Sequence, residues 1–273
     1  MKLPSITKKQ QDILKLLYTY RYLDRKQIQL AMNHKDKRRI IAWLKDMREK
    51  HYVQWIYSTD FVEKTKPAIY YLGINGIRYL KALDQYPIEE LRKRYKDTGR
   101  SRTFIDRSML VAECCLSLQT INTSDTSKAS FDYIPETVYI DPDHEYYFLA
   151  EHEVLRPNLC IVKHDKRGVV AANYLLEIFD SSLPRYRMRY RLKKYVAYLE
   201  DGEWEGDDPA PIILLVCPSI TELIYAKRST KKLIEDTYED DLHIRFTTTE
   251  LLRKESVTAK IWEEGRLKHS LIG

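Results

Sequence analysis

The chain has 273 residues, of which 44% are hydrophobic and 32% charged, with 8 glycines and 10 prolines. This composition is typical of a folded globular protein and excludes a fibrous or low-complexity chain. No stretch approaches the roughly 20 uncharged apolar residues of a membrane-spanning helix, and residues 1–5 contain no apolar core of the signal-peptide type. We therefore expect a cytoplasmic protein with no membrane partner.

The formal net charge of +6 is unevenly distributed along the chain. Residues 1–102 contain 24 Lys and Arg against 11 Asp and Glu, which is a balance of +13. Residues 103–273 contain 22 Lys and Arg against 29 Asp and Glu, which is a balance of −7. The amino-terminal part is therefore suited to contact a polyanion, and the rest of the chain is not.

Patterns in the first 84 residues predict three helices, two strands and a fourth helix. Apolar residues at helical spacing follow Thr7, a candidate cap. Asp24 is a candidate cap for the second helix, in which Ile28 and Leu30 are predicted to face inward. Aromatic and β-branched residues indicate the strands. The predicted helices cover residues 7–20, 24–32, 35–50 and about 73–83, and the strands cover residues 53–58 and 68–72.

Three helices followed by a two-stranded hairpin is the order of a winged helix-turn-helix, and we predict that residues 1–84 form such a DNA-binding domain. In its third helix Ile40, Leu44 and Met47 recur at i, i+4 and i+7, which predicts the buried side. The opposite side is basic near the N-terminus, the end that enters the major groove in such domains. The predicted DNA contacts, including two in the wing loop, are Lys35, Arg38, Arg39, Ala42, Lys45, Lys64 and Lys66.

Two features of this region have an alternative interpretation. Winged helices also serve as protein-interaction modules whose basic face is simply solvated, but the balance of +13 favours DNA. Residues 85–103 are predicted to be a charged linker, helical over 88–96. Its cations either extend the phosphate contacts or are exposed only to solvent.

From residue 104 the pattern predicts a mixed α/β domain that extends to residue 273. Residues 211–217 are the most apolar run and indicate a central strand. The four cysteines include no C-x-x-C pair and the histidines no H-x-x-x-H pair, so we interpret Cys114, Cys115, Cys160 and Cys217 as core residues. The other predicted strands cover residues 131–134, 146–149, 159–164, 173–179 and 243–247, and the helices cover 104–120, 185–200, 220–237 and 249–264.

This order of helix, strand pair, helix and strand resembles the core of PD-(D/E)xK nucleases. The resemblance implies a divalent metal held by an Asp after Pro on one strand and by an acid two residues before a Lys on the next. Here Asn158 stands in place of that Asp and Phe179 in place of that Lys, whereas Glu177 remains. We therefore expect a nuclease-like domain without catalysis, metal or cofactor, which instead contacts a second copy of the chain or a partner enzyme.

The alternative is a metal-dependent endonuclease that uses Mg²⁺, with Glu113 on the preceding helix, Glu177 and Asp180 as its acids. Lys193 or Lys194 would then replace the strand lysine. Other enzyme classes lack their signatures, since the chain has no phosphate loop, dinucleotide turn or nucleophile elbow. The 21 tyrosines have no histidine cluster of the kind a tyrosine relaxase needs beside them.

The chain as a whole resembles the replication-relaxation family of plasmid and mobile-element proteins. The matching parts are the winged-helix opening, R-S-x-x-x-A-E at residues 107–113, R-P-N at 156–158, L-E-I-x-D at 176–180, then Tyr186, Lys194 and Tyr198. The resemblance covers about residues 7–264 and implies a role in plasmid replication or in the relaxosome for conjugation. Its implied partners are double-stranded DNA and a replication or transfer enzyme. A transcriptional repressor of a mobile element is a further alternative.

Overall fold

The computed structural model describes residues 3–57, 66–123, 137–139, 155, 157–164, 170–201, 209–235 and 243–264. The chain divides into two compact units, Met1–Leu116 and Ser117–Gly273. Each unit contains helices and a β-sheet, so the predicted mixture of α and β structure is confirmed. In the described part of the chain, no helix is both long enough and apolar enough to cross a membrane.

The first unit opens with three helices at the places that the sequence patterns indicate. Thr7 and Asp24 each accept a hydrogen bond from the third residue of the helix that follows, and Gln10 and Gln27 return the bond to the cap. Both predicted caps are therefore confirmed, as complete capping boxes that satisfy free N–H groups of the first turn. The helices are α1 (Lys8–Tyr20), α2 (Arg25–Ala31) and α3 (Lys37–Glu49).

The apolar sides of these helices form the core of the first unit. Ile40, Leu44 and Met47 of α3 are all buried, as their spacing predicts. Ile28 of α2 is buried too, but Leu30 is 51% exposed, so its inward assignment is wrong. Two residues correspond to about 200° around a helix, which carries Leu30 to the side away from Ile28.

A three-stranded antiparallel sheet completes the predicted hairpin. Its strands are β1 (Leu23–Asp24), β2 (Val53–Ile56) and β3 (Ile69–Leu72), in the order β1–β3–β2. The sequence does not predict β1, because two residues are too few to show an alternating pattern. Helix α4 (Ile74–Ala82) follows the sheet. It passes so close to the chain before β2 that a Cβ on Gly76 would lie 2.3 Å from the Tyr52 carbonyl oxygen.

Residues 85–103, predicted to be a linker, pack as part of the first unit. They form α5 (Ile88–Arg94) and a short 3₁₀ turn, and they lead into α6 (Arg102–Thr123). Asp97 in that turn is buried, where it forms an ion pair with Arg21, and its carbonyl accepts a 2.6 Å hydrogen bond from the Tyr22 hydroxyl. The unit boundary therefore lies at residue 116 within α6, and not at residues 84 and 104.

The second unit is built on a six-stranded sheet in the order β4–β5–β6–β7–β8–β9. Strand β5 is antiparallel to β6, whereas β6, β7 and β8 are mutually parallel. The apolar run of residues 211–217 forms β7, which has a parallel neighbour on each side, so its central position is confirmed. The strands are β4 (Thr137–Tyr139), β5 (Leu159–His164), β6 (Val170–Ile178), β7 (Ile212–Cys217), β8 (Ile244–Thr248) and β9 (Glu263–Glu264).

The helices of the second unit are α7 (Arg185–Asp201), α8 (Ile220–Glu235) and α9 (Thr249–Glu255). The closing helix was predicted to reach residue 264, but α9 ends at residue 255, because Ser256 adopts a φ of 83° that a helix cannot contain. Strand β9 then pairs with β8. The strands predicted at 131–134 and 146–149 lie outside the described residues, and β4 was not predicted.

Candidate nucleic-acid interface

The outer side of α3 and the turn before it contain five residues that the sequence predicts as DNA contacts. Its inner side is fixed in the core by three buried apolar residues, which sets the rotation of the helix. The predicted contact residues of this helix and of the turn before it are all exposed, and they are Lys35, Arg38, Arg39, Ala42 and Lys45.

The positive charge of α3 is concentrated in its first turns. Lys35, Lys37, Arg38 and Arg39 are exposed there and form no ion pair with any described residue. The one acid among them is Asp36, the N-cap, whose carboxylate accepts a 2.8 Å hydrogen bond from the N–H of Arg38. The start of the helix therefore has a formal charge of +3. Lys37 belongs to this cationic group, although it is not among the DNA contacts that the sequence predicts.

The end of α3 is close to neutral because acids accompany its cations. Lys45 lies 3.9 Å from Glu49, and the ammonium of Lys50 lies 2.9 Å from the Asp46 carboxylate. The hydrogen bond from Lys50, with another from Gln10, keeps the pKa of Asp46 below its usual value, so this acid is charged at neutral pH. Lys45 is thus a weaker candidate contact than the residues at the start of the helix.

The turn between α2 and α3 is held by contacts that the sequence does not reveal. The Nδ1 atom of His34 lies 3.1 Å from both the N–H and the carbonyl oxygen of Asp36. The His34 ring meets the Trp43 ring edge to face, with centroids 5.1 Å apart. These contacts join the turn to the first half of α3, where the basic residues lie.

An exposed aromatic cluster lies at the end of β2, just before the predicted wing loop in the sequence. The rings of Trp55 and Tyr57 stack with centroids 5.4 Å apart, and both side chains are more than 40% exposed. The guanidinium of Arg48 lies 3.7 Å above the Trp55 ring. Lys66 is exposed just before β3, whereas Lys64 lies outside the described residues. The sequence pattern identified these aromatics only as strand residues.

In the second unit, the two residues that we predicted to stand in place of a nuclease Asp and Lys have structural roles. The Oδ1 atom of Asn158 accepts a 2.6 Å hydrogen bond from the N–H of Ile178. The backbone N–H of Asn158 donates to the carbonyl oxygen of Leu176. Asn158 therefore joins the start of β5 to the end of β6. Phe179 is buried in the core of the second unit, where an ammonium group would lose its solvation.

The acid near the end of β6, Glu177, forms an ion pair with a cation of α7. Its carboxylate accepts hydrogen bonds from Arg191 at 2.6 and 3.2 Å and from the Tyr195 hydroxyl at 2.7 Å. Burial and the charge of Glu177 raise the pKa of Tyr195 well above its ordinary value, so the phenol stays protonated and donates. Burial alone would lower the pKa of Arg191, but Glu177 outweighs this effect and raises it. The cation that pairs with Glu177 is thus Arg191, which the sequence did not identify as a candidate.

The structure also describes the other candidates for a nuclease site. Lys193 follows Arg191 by two residues, about 200° around α7, and therefore lies on the opposite side of the helix. Asp180 accepts a 2.9 Å hydrogen bond from the N–H of Ser182, and Glu113 is exposed on α6 in the first unit. Lys194 lies over the ring of Tyr190. Among the described residues, no three His, Cys, Asp or Glu side chains form a group suited to a metal.

The four cysteines are free, which agrees with their interpretation as core residues. Cys114, Cys115 and Cys217 are buried, and Cys160 is partly buried against the core of the second unit. Burial raises the pKa of the Cys217 thiol to about 12, so it is protonated and unreactive at neutral pH.

Comparison of the chain with protein-family models, with characterised proteins and with solved structures found no match. The resemblance to the replication-relaxation family therefore stays a prediction.

Proposed function

We propose that the protein binds double-stranded DNA through the start of α3. The observation that supports this most directly is the group of four exposed cations, with one acid, at the start of a helix whose opposite side is buried. The order α1, β1, α2, α3, β2, β3 with the sheet order β1–β3–β2 is also what a winged helix-turn-helix requires. In that fold the start of the third helix is the part that contacts the major groove.

The exposed rings of Trp55 and Tyr57, with the half-buried Arg48, support a second contact beside this helix. Arg48 lies near the end of α3, and its guanidinium is 3.7 Å from the centre of the Trp55 ring, so this patch joins the helix to β2. In this proposal the two rings pack along the DNA backbone and the arginine contacts a phosphate. This arrangement positions the protein on a duplex without requiring a particular sequence.

Replacing Arg38 and Arg39 together by alanine is expected to weaken duplex binding by at least about tenfold without unfolding the protein, because both side chains are exposed. The logarithm of the binding constant should fall with log[salt] at a slope of roughly −4 to −5 for five phosphate contacts. The double variant should make that slope about 2 less steep. The measurement is fluorescence anisotropy of a labelled duplex with the full chain, between about 50 and 200 mM salt.

The matched control is Lys8→Ala with Lys9→Ala on α1, which removes the same charge from two other exposed positions of the first unit. We expect this variant to bind the duplex within about twofold of the parent. Equal losses in the two double variants would contradict the assignment of α3, because only the overall charge would then matter.

The second unit is proposed to be a nuclease-like domain that does not cleave DNA. Glu177 is bound by Arg191 and Tyr195, and Asn158 uses its side-chain oxygen to hold the N–H of Ile178. Neither residue is therefore a free carboxylate at the end of its strand. Phosphodiester hydrolysis through a metal needs such anions to hold the ion and orient water. The proposal accordingly includes no catalytic residue and no cofactor.

Supercoiled plasmid incubated with the full chain and Mg²⁺ or Mn²⁺ is therefore expected to remain intact, as judged by agarose gel electrophoresis. Duplex binding should persist in EDTA. Nicking that disappears in a Glu177→Gln variant would contradict this proposal and establish the endonuclease alternative. Nicking that persists in that variant would instead indicate a contaminating nuclease.

The resemblance to replication-relaxation proteins supports placing this binding in the cytoplasm, in plasmid replication or conjugative transfer. The partners proposed on that basis are double-stranded DNA, a second copy of the chain and a replication or transfer enzyme. Repression of a mobile-element promoter would use the same α3 contacts, and it differs in requiring preference for an operator sequence.

A further inference from the structure

The start of α7 presents a second cationic surface, in the unit that the duplex-binding proposal leaves without a ligand. Residues 185–194 contain six Lys and Arg and no acid. Two of the six are already neutralised, since Arg191 pairs with Glu177 and Arg185 lies 3.8 Å from Glu222. The four that remain exposed or half-exposed are Arg187, Arg189, Lys193 and Lys194.

Two tyrosines lie in the middle of this surface with their rings in solvent. Tyr186 is 67% exposed and Tyr190 is 60% exposed, which is unusual for such large side chains. They are four residues apart, so they lie on the same side of α7, about 6 Å from each other along its axis. Met188, Leu192 and Tyr195 on the opposite side are fully buried in the core, which fixes the rotation of the helix.

The four cations flank the two rings in pairs. At about 100° per residue, Arg189 and Lys193 lie along one edge of the tyrosine row, and Arg187 and Lys194 lie along the other. The guanidinium of Arg187 lies 5.9 Å from the centre of the Tyr186 ring, and the ammonium of Lys194 lies 5.0 Å from that of Tyr190. Arg189 and Lys193 form no ion pair with any described residue.

The row of tyrosines borders an open groove between α7 and α8. Tyr186, Tyr190, Arg189 and Lys193 line it, together with apolar side chains of both helices and Glu200 at its far end. The apolar lining includes Val196 and Ala197 of α7 and Leu233 of α8. The groove thus combines exposed rings, apolar side chains and cations that are available to anionic groups.

Rings flanked by cations match the chemistry of an unpaired nucleic-acid strand. Every base offers a π-face that stacks on tyrosine, while phosphates along the strand pair with lysine and arginine. A duplex hides its base faces, so it would leave both rings unused. A lipid surface would need large aliphatic side chains or tryptophan to insert, and the exposed stripe of α7 contains neither.

We propose that the Tyr186–Tyr190 face of α7 binds single-stranded DNA. The choice of DNA over RNA rests on the proposed function of α3, whereas the single-strand binding rests on α7 alone. A protein with both surfaces would hold a duplex with its first unit and an unpaired strand with its second.

The test uses the full chain and a labelled 20-nucleotide oligo-dT in fluorescence anisotropy. Tyr186→Ala with Tyr190→Ala should weaken binding by at least about tenfold, since stacking of one base on an aromatic ring contributes 5- to 150-fold in affinity. Tyr186→Phe with Tyr190→Phe keeps both rings and should bind within about threefold of the parent.

Both tyrosine double variants should bind a duplex as the parent does. Arg38→Ala with Arg39→Ala should retain oligo-dT binding, so a failure of the α3 proposal is recognised separately.

Three results would overturn the proposal. One is the absence of oligo-dT binding at ~50 mM salt, where electrostatic contacts are strongest. Another is equal affinity of the alanine variant and the parent, with unchanged circular dichroism. The third is tighter binding to oligo-rU, to poly-glutamate or to anionic lipid vesicles than to oligo-dT, which would assign this face to RNA, an acidic protein or a membrane.

Discussion

Replacing Asp97 by alanine is expected to lower the free energy of unfolding of the first unit by about 3–5 kcal/mol. The Asp97 side chain is 1% exposed and pairs with the guanidinium of Arg21, which is itself buried. Without the carboxylate, Arg21 would keep its charge in a site that water does not reach. An uncompensated buried charge costs far more than a lost surface ion pair.

The loss is measured by urea denaturation monitored by circular dichroism, with hydrogen exchange to assign it to the first unit. Asp106→Ala is the matched control, because it breaks the exposed pair with Arg102 and should change the stability by less than about 1 kcal/mol. Arg21→Met with Asp97→Leu removes both charges and should recover much of the loss. A change in Asp97→Ala no larger than in the control would mean that residues 85–103 behave as a linker after all.

Replacing Leu44 by alanine is expected to destabilise the first unit by about 2–5 kcal/mol, because it leaves a cavity beneath α3. Leu44 is buried between Ile40 and Met47, at the centre of the apolar stripe of that helix. The variant should also lose duplex binding on warming, at temperatures where the parent still binds. The measurement is thermal unfolding in parallel with duplex anisotropy.

The neighbouring position Ile41 provides the control for the orientation of α3. Ile41 is 49% exposed, so Ile41→Ala is expected to change the stability by less than about 0.5 kcal/mol. If Ile41→Ala were as destabilising as Leu44→Ala, α3 would be rotated relative to the core. Its basic side would then not face solvent, and the proposed contact with DNA would lose its support.

Much of the local structure was determined by the sequence itself. Thr7 and Asp24 cap their helices because a short polar side chain can satisfy free N–H groups one turn away, which is a contact within a few residues. The buried side of α3 follows from the spacing of Ile40, Leu44 and Met47, and its exposed basic side follows with it. The central position of β7 follows from an apolar run that only a strand covered on both faces can contain.

The tertiary structure alone decided which charges are solvated and which are paired. In sequence, Asp97 belongs to a charged segment that looks like a linker, and its partner Arg21 is 76 residues away. The neutralisation of Glu177 by Arg191 and Tyr195 likewise depends on the packing of α7 against β6. Patterns within a short window report on helices, strands and caps, because those depend on hydrogen bonds between near neighbours. A charged side chain instead takes its role from whatever the fold brings beside it, and no local pattern contains that information.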